Sequence, residues 1–430
     1  MNELLIYGGT LIDPARSFQG KADILIREGH VAAVGDTGTI EHSSAAQKLD
    51  ATGLIVTPGL IDMHVHFREP GMEEEETLDS GAASAVAGGF TTVVTMPNTD
   101  PPVDNEGAVT SAIRKAKNAR LANVFPAGTI TAGRLGQELA EMAGMVRGGA
   151  VAFSDDGSSV PTAGVLMRAL TYARMFGLPV LEHCEDASLA GSGAMNGGYV
   201  ATVLGLPGSP AEAEDIIVAR DCKIAKLTGG KLHIQHVSTI GAIRIIRDAK
   251  SEGINVTAEV TPHHLCLTED AVKSYNPVFK VSPPLRTKQD VEACIQALAD
   301  GTIDCIASDH APHLTEEKEI EFADAPPGMI GLETTLGVAF THVYHTGFIQ
   351  LYRLIESMTA SPAKILGWKD RGTLGIGACG DVTIMDPNLS WKVDANLFRS
   401  KSRNCPFDGM SLRGKAVATV VAGRIVYEHQ

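Results

Sequence analysis

Two histidines one residue apart, His64 and His66, close an apolar run from Leu54 to Met63 in the stretch Pro58-Gly-Leu-Ile-Asp-Met-His-Val-His-Phe-Arg-Glu-Pro-Gly71. In an extended strand, side chains at i and i+2 share a face. Both imidazoles then project together and can hold one metal ion, neutral imidazole being the commonest nitrogen ligand for zinc. Arg68 has the same parity and is placed to offer a charged fork to an anionic substrate just beyond the metal. A bare pair of this kind is weak in a chain with fourteen histidines, since polar residues also end strands for no chemical reason. The ends of the other apolar runs strengthen it. They carry Asn98, Asp155-Asp156, Glu182-His183-Cys-Glu185, Gln235-His236, Glu259 with His263-His264, and Asp309-His310-Ala-Pro-His313.

Taken singly, each has a dull explanation. Asp155-Asp156-Gly reads as a turn, Asp309 as a helix cap, His183 or His236 as a core imidazole with a satisfied hydrogen bond. Gathered on one rim, four histidines and two or three carboxylates would repel one another or stay unsatisfied without a cation. Imidazoles and carboxylates without paired cysteines suit Zn²⁺ in a catalytic site, and Mn²⁺ or Co²⁺ would also fit. The donors exceed what one tetrahedral ion takes, so two ions are the economical reading. Such a pair brings the pKa of water near neutrality and polarises a carbonyl, which is the chemistry of hydrolysing an amide-like bond. No GxSxG nucleophile elbow is present. Cys184, beside His183, falls on the opposite side by strand alternation and is expected to be a small buried residue.

The elements that must position these groups alternate along the middle of the chain. Apolar β-type runs fall at 60–66, 90–96, 123–128, 150–154, 178–183, 231–237, 254–260 and 303–308. Helix-type segments lie at 76–88, 105–119, 136–147, 162–176, 210–228, 240–252 and 287–300, and 331–367 is helical with Pro362 near a helix start. Strand–helix alternation implies parallel pairing through crossover helices, and eight units point to a closed (β/α)8 barrel of the TIM type, at whose strand C-termini functional groups gather. The absence of GxGxxG after an early strand disfavours an open dinucleotide-binding sheet. Short strands with turns fill both ends: Leu4–Tyr7, Leu11–Ile12, Ala22–Arg27 and Val31–Val34, then Asp381–Met385, Ala416–Val421 and a hairpin through Tyr427. Neither end has a large core alone, so residues 1–57 and 368–430 are expected to form one small β-sandwich, with 58–367 as the barrel.

Composition sets the outer bounds. The chain has 430 residues, 44% apolar and 20% charged, as in soluble globular proteins. A net charge of −15 without a Lys/Arg cluster argues against nucleic acid or anionic membrane as partner, though not against a small anionic substrate. Seven cysteines without CxxC spacing do not form a disulfide framework, which points to a reducing cytoplasm. The first residues lack the basic and apolar regions of a signal peptide, and no apolar run approaches the roughly 20 residues a membrane span needs. The acidic stretch from His313 to Gly331 is too long for an ordinary strand–helix loop and is expected either to be a lid over substrate or a solvated loop.

On Asp62-Met-His-Val-His-Phe-Arg-Glu-Pro-Gly71, Met96-Pro-Asn-Thr99, Phe153-Ser-Asp-Asp-Gly157, Glu182-His-Cys-Glu185, Gln235-His-Val-Ser238, Pro283-Pro-Leu-Arg286 and Ser308-Asp-His-Ala-Pro-His313, the sequence resembles the dihydroorotases of the cyclic amidohydrolase group, in particular the bacterial class I enzymes, over essentially its whole length. The resemblance implies two zinc ions per subunit, one held by His64, His66 and Asp309, the other by His183 and His236. Asp156 would bridge them where many relatives carry a carbamylated lysine; spacing alone leaves Asp155 and Asp156 open. It further implies Asp309 as the catalytic proton carrier, Arg68 and Asn98 on a substrate carboxylate, His313 at the ring, and backbone contacts from Pro327 and Gly328 in a mobile loop. Ser282 stands where close relatives usually have a substrate-binding Asn, and Pro327 where a Phe-Gly pair is common. Hydantoinases and allantoinases resemble this pattern but generally lack the arginine at position 68, and their substrates lack the ring carboxylate. The implied activity is interconversion of dihydroorotate and N-carbamoyl-L-aspartate. The alternatives are a hydantoinase-like or allantoinase-like cyclic amidase, or an inactive scaffold for aspartate transcarbamoylase. A homodimer and a transcarbamoylase partner are family-based expectations.

Overall fold

A computed structural model describes residues 3–429. Eight short strands form its centre: β1 (Leu60–Val65), β2 (Phe90–Thr95), β3 (Asn123–Pro126), β4 (Phe153–Ser154), β5 (Pro179–Glu182), β6 (Lys231–Ile234), β7 (Val256–Val260) and β8 (Cys305–Ile306). β1, β2 and β3 pair in parallel, and so do β4 to β8 in sequence order. Two bridges join the arcs. Gly128 pairs with Phe153, and Val65 with His310, so the ring closes on itself as a (β/α)8 barrel. Closure removes both open edges, which a parallel sheet otherwise has to cover.

Crossover helices make the parallel order possible. They are α1 (Leu78–Ala87), α2 (Glu106–Ala119), α3 (Met142–Gly148), α4 (Ala163–Phe176), α5 (Glu212–Thr228), α6 (Ile240–Ser251) and α7 (Lys288–Asp300). Five start on a polar cap whose side-chain oxygen accepts the third helical N–H: Thr77, Asn105, Thr162, Thr239 and Thr287. The expected helix over 136–147 begins only at Met142. Gly136 has φ +71°, and Leu139 is drawn into a bridge with Thr131, so the first six residues of that span lie outside the helix. Beyond Leu314 the chain is helical in short pieces, and Pro362 sits in the first turn of the helix Ala360–Leu366. Ile365 and Leu366 of that helix pack with Met63, Val94, Leu181 and Cys305.

The chain ends build two further sheets. One runs 30–35, 23–27, 3–7, 47–50; the other 424–428, 411–421, 382–392, 55–58, 10–13, 18–21. Leu4, Ile24 and Ile26 of the first share a core with Leu11, Val56, Val382, Ile384 and Val420 of the second, forming a β-sandwich from N- and C-terminal segments. The strand read as Asp381–Met385 runs on to Lys392. Asp386-Pro-Asn reads as a stop, but a bulge between Asp386 and Ser390 absorbs it and pairing resumes at Ser390 with Arg413. No helix among the described residues is long and apolar enough to cross a membrane.

Candidate metal centre

β1 ends at Val65, so His64 is its last inward donor and His66 lies one residue beyond. His66 keeps its place because its N–H donates to His310 O at 2.8 Å, continuing the ladder to the other side of the ring. Arg68 is not on the strand. It lies three residues past the strand's end and holds φ +59°, so parity alone is not what brings it to the site. His236 and Asp309 also have positive φ, +32° and +48°. Each such non-glycine residue costs about 1–3 kcal/mol, a strain that collects at functional sites.

Six side chains from five strand ends meet. His64 Nε2 lies 3.3 Å from Asp156 Oδ2 and 3.4 Å from Asp309 Oδ1. His66 Nε2 lies 3.3 Å and 3.0 Å from the same two oxygens. On the other side, His183 Nδ1 and His236 Nε2 are each 3.4 Å from Asp156 Oδ1. Asp156 therefore turns one oxygen to each half of the cluster. Asp155 does not take part: its carboxylate accepts the N–H groups of Ile130 and Thr131 and the Thr131 hydroxyl. Of the two aspartates the spacing left open, Asp156 is therefore the one that faces the histidines. Cys184 turns away, its thiol directed at Glu182 O and Asp221. His310 turns away as well, accepting the Gly331 N–H at Nδ1 and facing Glu76 with Nε2.

The imidazoles are held from behind. His64 Nδ1 donates to Glu259 Oε1 at 2.6 Å, and His233 Nε2 donates to Glu259 Oε2 at 3.0 Å. His66 Nδ1 donates to Asn98 Oδ1 at 2.8 Å. A partner on one ring nitrogen fixes the tautomer and leaves the other nitrogen as a lone-pair donor, the arrangement metal-binding histidines use. Glu259 appears in the sequence at the end of its strand, but nothing local says which histidine it serves, and its partner is 195 residues away.

The donor set fits divalent cations. Asp156 Oδ1 and His236 Nδ1 are buried with no hydrogen-bond partner, and His64 with His66 and Asp309, and with Asp156 and His236, forms two clusters of metal-ligand type. Burial opposes charge on His64, His66, His183, Asp156 and Asp309, and at His66 it prevails. It is outweighed at His64 by Asp156, Asp309 and Glu259, which hold that imidazole well above its ordinary value. His183 is likewise lifted to about 10 against burial by the facing carboxylates of Asp156 and Glu185. Asp156 and Asp309 lie well below the carboxylate range, held there against burial first by the charge on His64. The cluster thus demands positive charge, which protons or metal ions can supply.

A 280 Å³ cavity opens above it, bordered by Arg68, Asn98, Ser282, His313, Pro327 and Gly328 as well as by the cluster itself. Arg68 is not free: Nε donates to Pro312 O at 3.0 Å and lies 3.1 Å from Glu75, a partner the sequence reading did not identify. His313 Nε2 donates to Pro327 O at 2.9 Å. Asn404, which no motif marked, donates to Ala311 O and Gly328 O and so ties two walls of the cavity together.

Comparison with known proteins agrees in family and fold. A family model described as Dihydro-orotase-like matches residues 53–241, and an Amidohydrolase family model matches 338–427. The chain is similar to a protein named dihydroorotase from Pelotomaculum thermopropionicum, 50% identical, and to one from Citrifermentans bemidjiense, 49% identical, with 99% of each chain covered in both cases. Among solved structures it is similar to an L-hydantoinase (dihydropyrimidinase) from Arthrobacter aurescens, with a TM-score of 0.88 and 31% identity, over 100% of this chain and 96% of that one.

Proposed function

This chain belongs to the dihydroorotase family, hydrolases of cyclic amides that interconvert dihydroorotate and N-carbamoyl-L-aspartate in pyrimidine biosynthesis, and from that premise we propose how its own residues carry the reaction. His64, His66, Asp156, His183, His236 and Asp309 would hold two zinc ions. When bound, the cations acidify water and polarise the ring carbonyl.

The rest falls to the protein. Arg68 and Asn98 receive the ring carboxylate. With Arg68 Nε committed to Pro312 O, the guanidinium offers its remaining N–H donors, a charge-assisted contact that neither hydantoin nor allantoin can return. Ser282, His313, Pro327 and Gly328 border the ring, and their crowding keeps bulk water out. Asp309 takes a proton from the attacking water and delivers it to the departing ring nitrogen; in ring closure the proton runs the other way. The charge on His64 and the hydrogen bond from His66 keep its carboxylate ionised, the form that has a lone pair for the proton.

The observation that carries this reading is the meeting of six buried ligand-type side chains from five strand ends beneath a cavity that also holds Arg68. The test is turnover of dihydroorotate, hydantoin and allantoin side by side, with bound metal counted per chain. Dihydroorotate turnover with two zinc ions is expected. Turnover of hydantoin or allantoin alone would assign the chain to another cyclic amidase, and a metal-free inactive chain would make it a scaffold. The proposal extends to a barrel unit of 58–367 beside a sandwich of 1–57 and 368–430, a homodimer, a cytoplasmic location supported by seven free cysteines, and aspartate transcarbamoylase as a candidate partner.

A further inference from the structure

The wall of the cavity at Ala325-Pro-Pro-Gly328 has an unusual support. Two consecutive prolines leave positions 326 and 327 without N–H donors, so this loop cannot be held through its own amides there. The Ala325 and Gly328 amides on either side donate to Glu321 O at 3.0 Å and to Lys280 O at 2.9 Å, and the loop's carbonyls are held from outside as well. Lys280 Nζ donates to Ala323 O at 2.6 Å, and Lys318 Nζ donates to Pro326 O at 2.6 Å. His313 takes Pro327 O, and Asn404 takes Gly328 O. The same Lys318 ammonium also donates to Pro277 O at 3.2 Å. Pro277 begins the turn that leads to Val281 and Ser282, which border the cavity on another side. One side-chain nitrogen therefore joins two walls of the substrate cavity, beside the backbone bond from the Gly328 N–H to Lys280 O.

Lys318 is only 6% exposed, and a lysine is almost never buried without a carboxylate partner. Among the described residues no carboxylate lies within ion-pair distance of it. Arg68 and Lys280 repel its charge and only Glu317 attracts it, while burial, the dominant influence, draws the ammonium down to about 7. Such a placement is costly, and packing alone would be better met by an apolar residue of the same length.

Resting on the cyclic-amidase reading above, we propose that Lys318 is a positioning residue that fixes the separation of the 277–282 and 325–328 walls, and with it the contacts of Ser282, Pro327 and Gly328 with substrate. It touches neither the metal ligands nor the reacting atoms. Its removal widens the cavity rather than disabling the chemistry.

The test is Lys318→Met in the metal-loaded protein. KM for N-carbamoyl-L-aspartate is expected to rise about tenfold, the equivalent of about one substrate hydrogen bond loosened by the displaced walls. Turnover at saturation and bound zinc should stay at the wild-type level, and amide exchange should quicken at 323–328 and 277–282 alone. Unchanged KM with unchanged exchange would overturn the proposal. So would equal losses of turnover, zinc and global protection, which mark a general structural role. Should Lys318→Met not fold, Lys318→Gln, too short to reach both carbonyls, is read by the same criteria. If the wild type itself does not turn over dihydroorotate, the functional reading fails, while the exchange measurement still decides whether Lys318 pins the loop.

Discussion

Glu259→Gln is the sharpest test of the metal centre, because it changes one charge and almost no volume. Glu259 is fully buried and serves two imidazoles, His64 at 2.6 Å and His233 at 3.0 Å. Both contacts need an acceptor. A carboxylate supplies two; an amide supplies one acceptor and one donor, so one imidazole must lose its bond or change tautomer. If His64 changes, its proton moves to Nε2, the nitrogen that faces Asp156 and Asp309, and that nitrogen can no longer offer a lone pair. The charge matters too: Glu259 is held down to about 2, against burial, first by the charge on His64. A charge-assisted hydrogen bond of this kind contributes about 1.5–3 kcal/mol, roughly a tenfold to a hundredfold change in affinity. Loss of a carboxylate behind a ligating histidine elsewhere costs about the same in metal affinity, roughly 10–100-fold. The assay is competition for zinc against a chromophoric chelator, with circular dichroism to confirm the fold. Wild-type zinc retention in a folded Glu259→Gln variant would refute the argument that His64 is a ligand set by Glu259.

Asp309→Asn should keep the barrel and lose nearly all turnover in both directions; turnover within a few-fold of wild type would remove Asp309 from the proton path. Arg68→Ala should raise KM for the carboxylated substrate about tenfold to a hundredfold, and it also strips Glu75 of its cation. Adding Glu75→Gln should recover the lost Tm but not the KM, and joint recovery would mean that Arg68 is there only to balance Glu75. Burial holds Glu333 up at about 7, well above its unfolded value. Its contribution to stability is therefore present below about pH 4.5 and lost as pH rises to about 7. Glu333→Gln keeps a carbonyl for Ser84, Arg399 and Ser400, so its Tm should exceed the wild-type Tm at pH 8 and converge with it near pH 4.5. A constant offset across that range would contradict the buried-carboxyl account.

Much of the centre could be read from the chain because ligand chemistry sits where patterns end. Apolar runs of strand length mark the inward path, and the first polar residues after them fall on the rim, which is how His64, His183, His236 and Asp309 were found. The parity argument paired His64 with His66, and the structure brings the two together by a route that parity describes only in part. The strand stops at Val65, and His66 is carried one step further by its bond to His310. Arg68 came with them by the same parity, yet it is a left-handed backbone turn that places it.

By itself the sequence determined the kinds of donor, the alternation of strand and helix, and which turns could end them, because these depend on neighbours a few positions away. Only the closed ring decided that Asp156 and not Asp155 faces inward, that Glu259 stands behind His64, and that Lys318 and Asn404 hold a wall of prolines in place. Those outcomes depend on which strands lie side by side, and a pair such as His64 and Glu259, 195 residues apart, is specified by no local period; it exists only once eight strands have met.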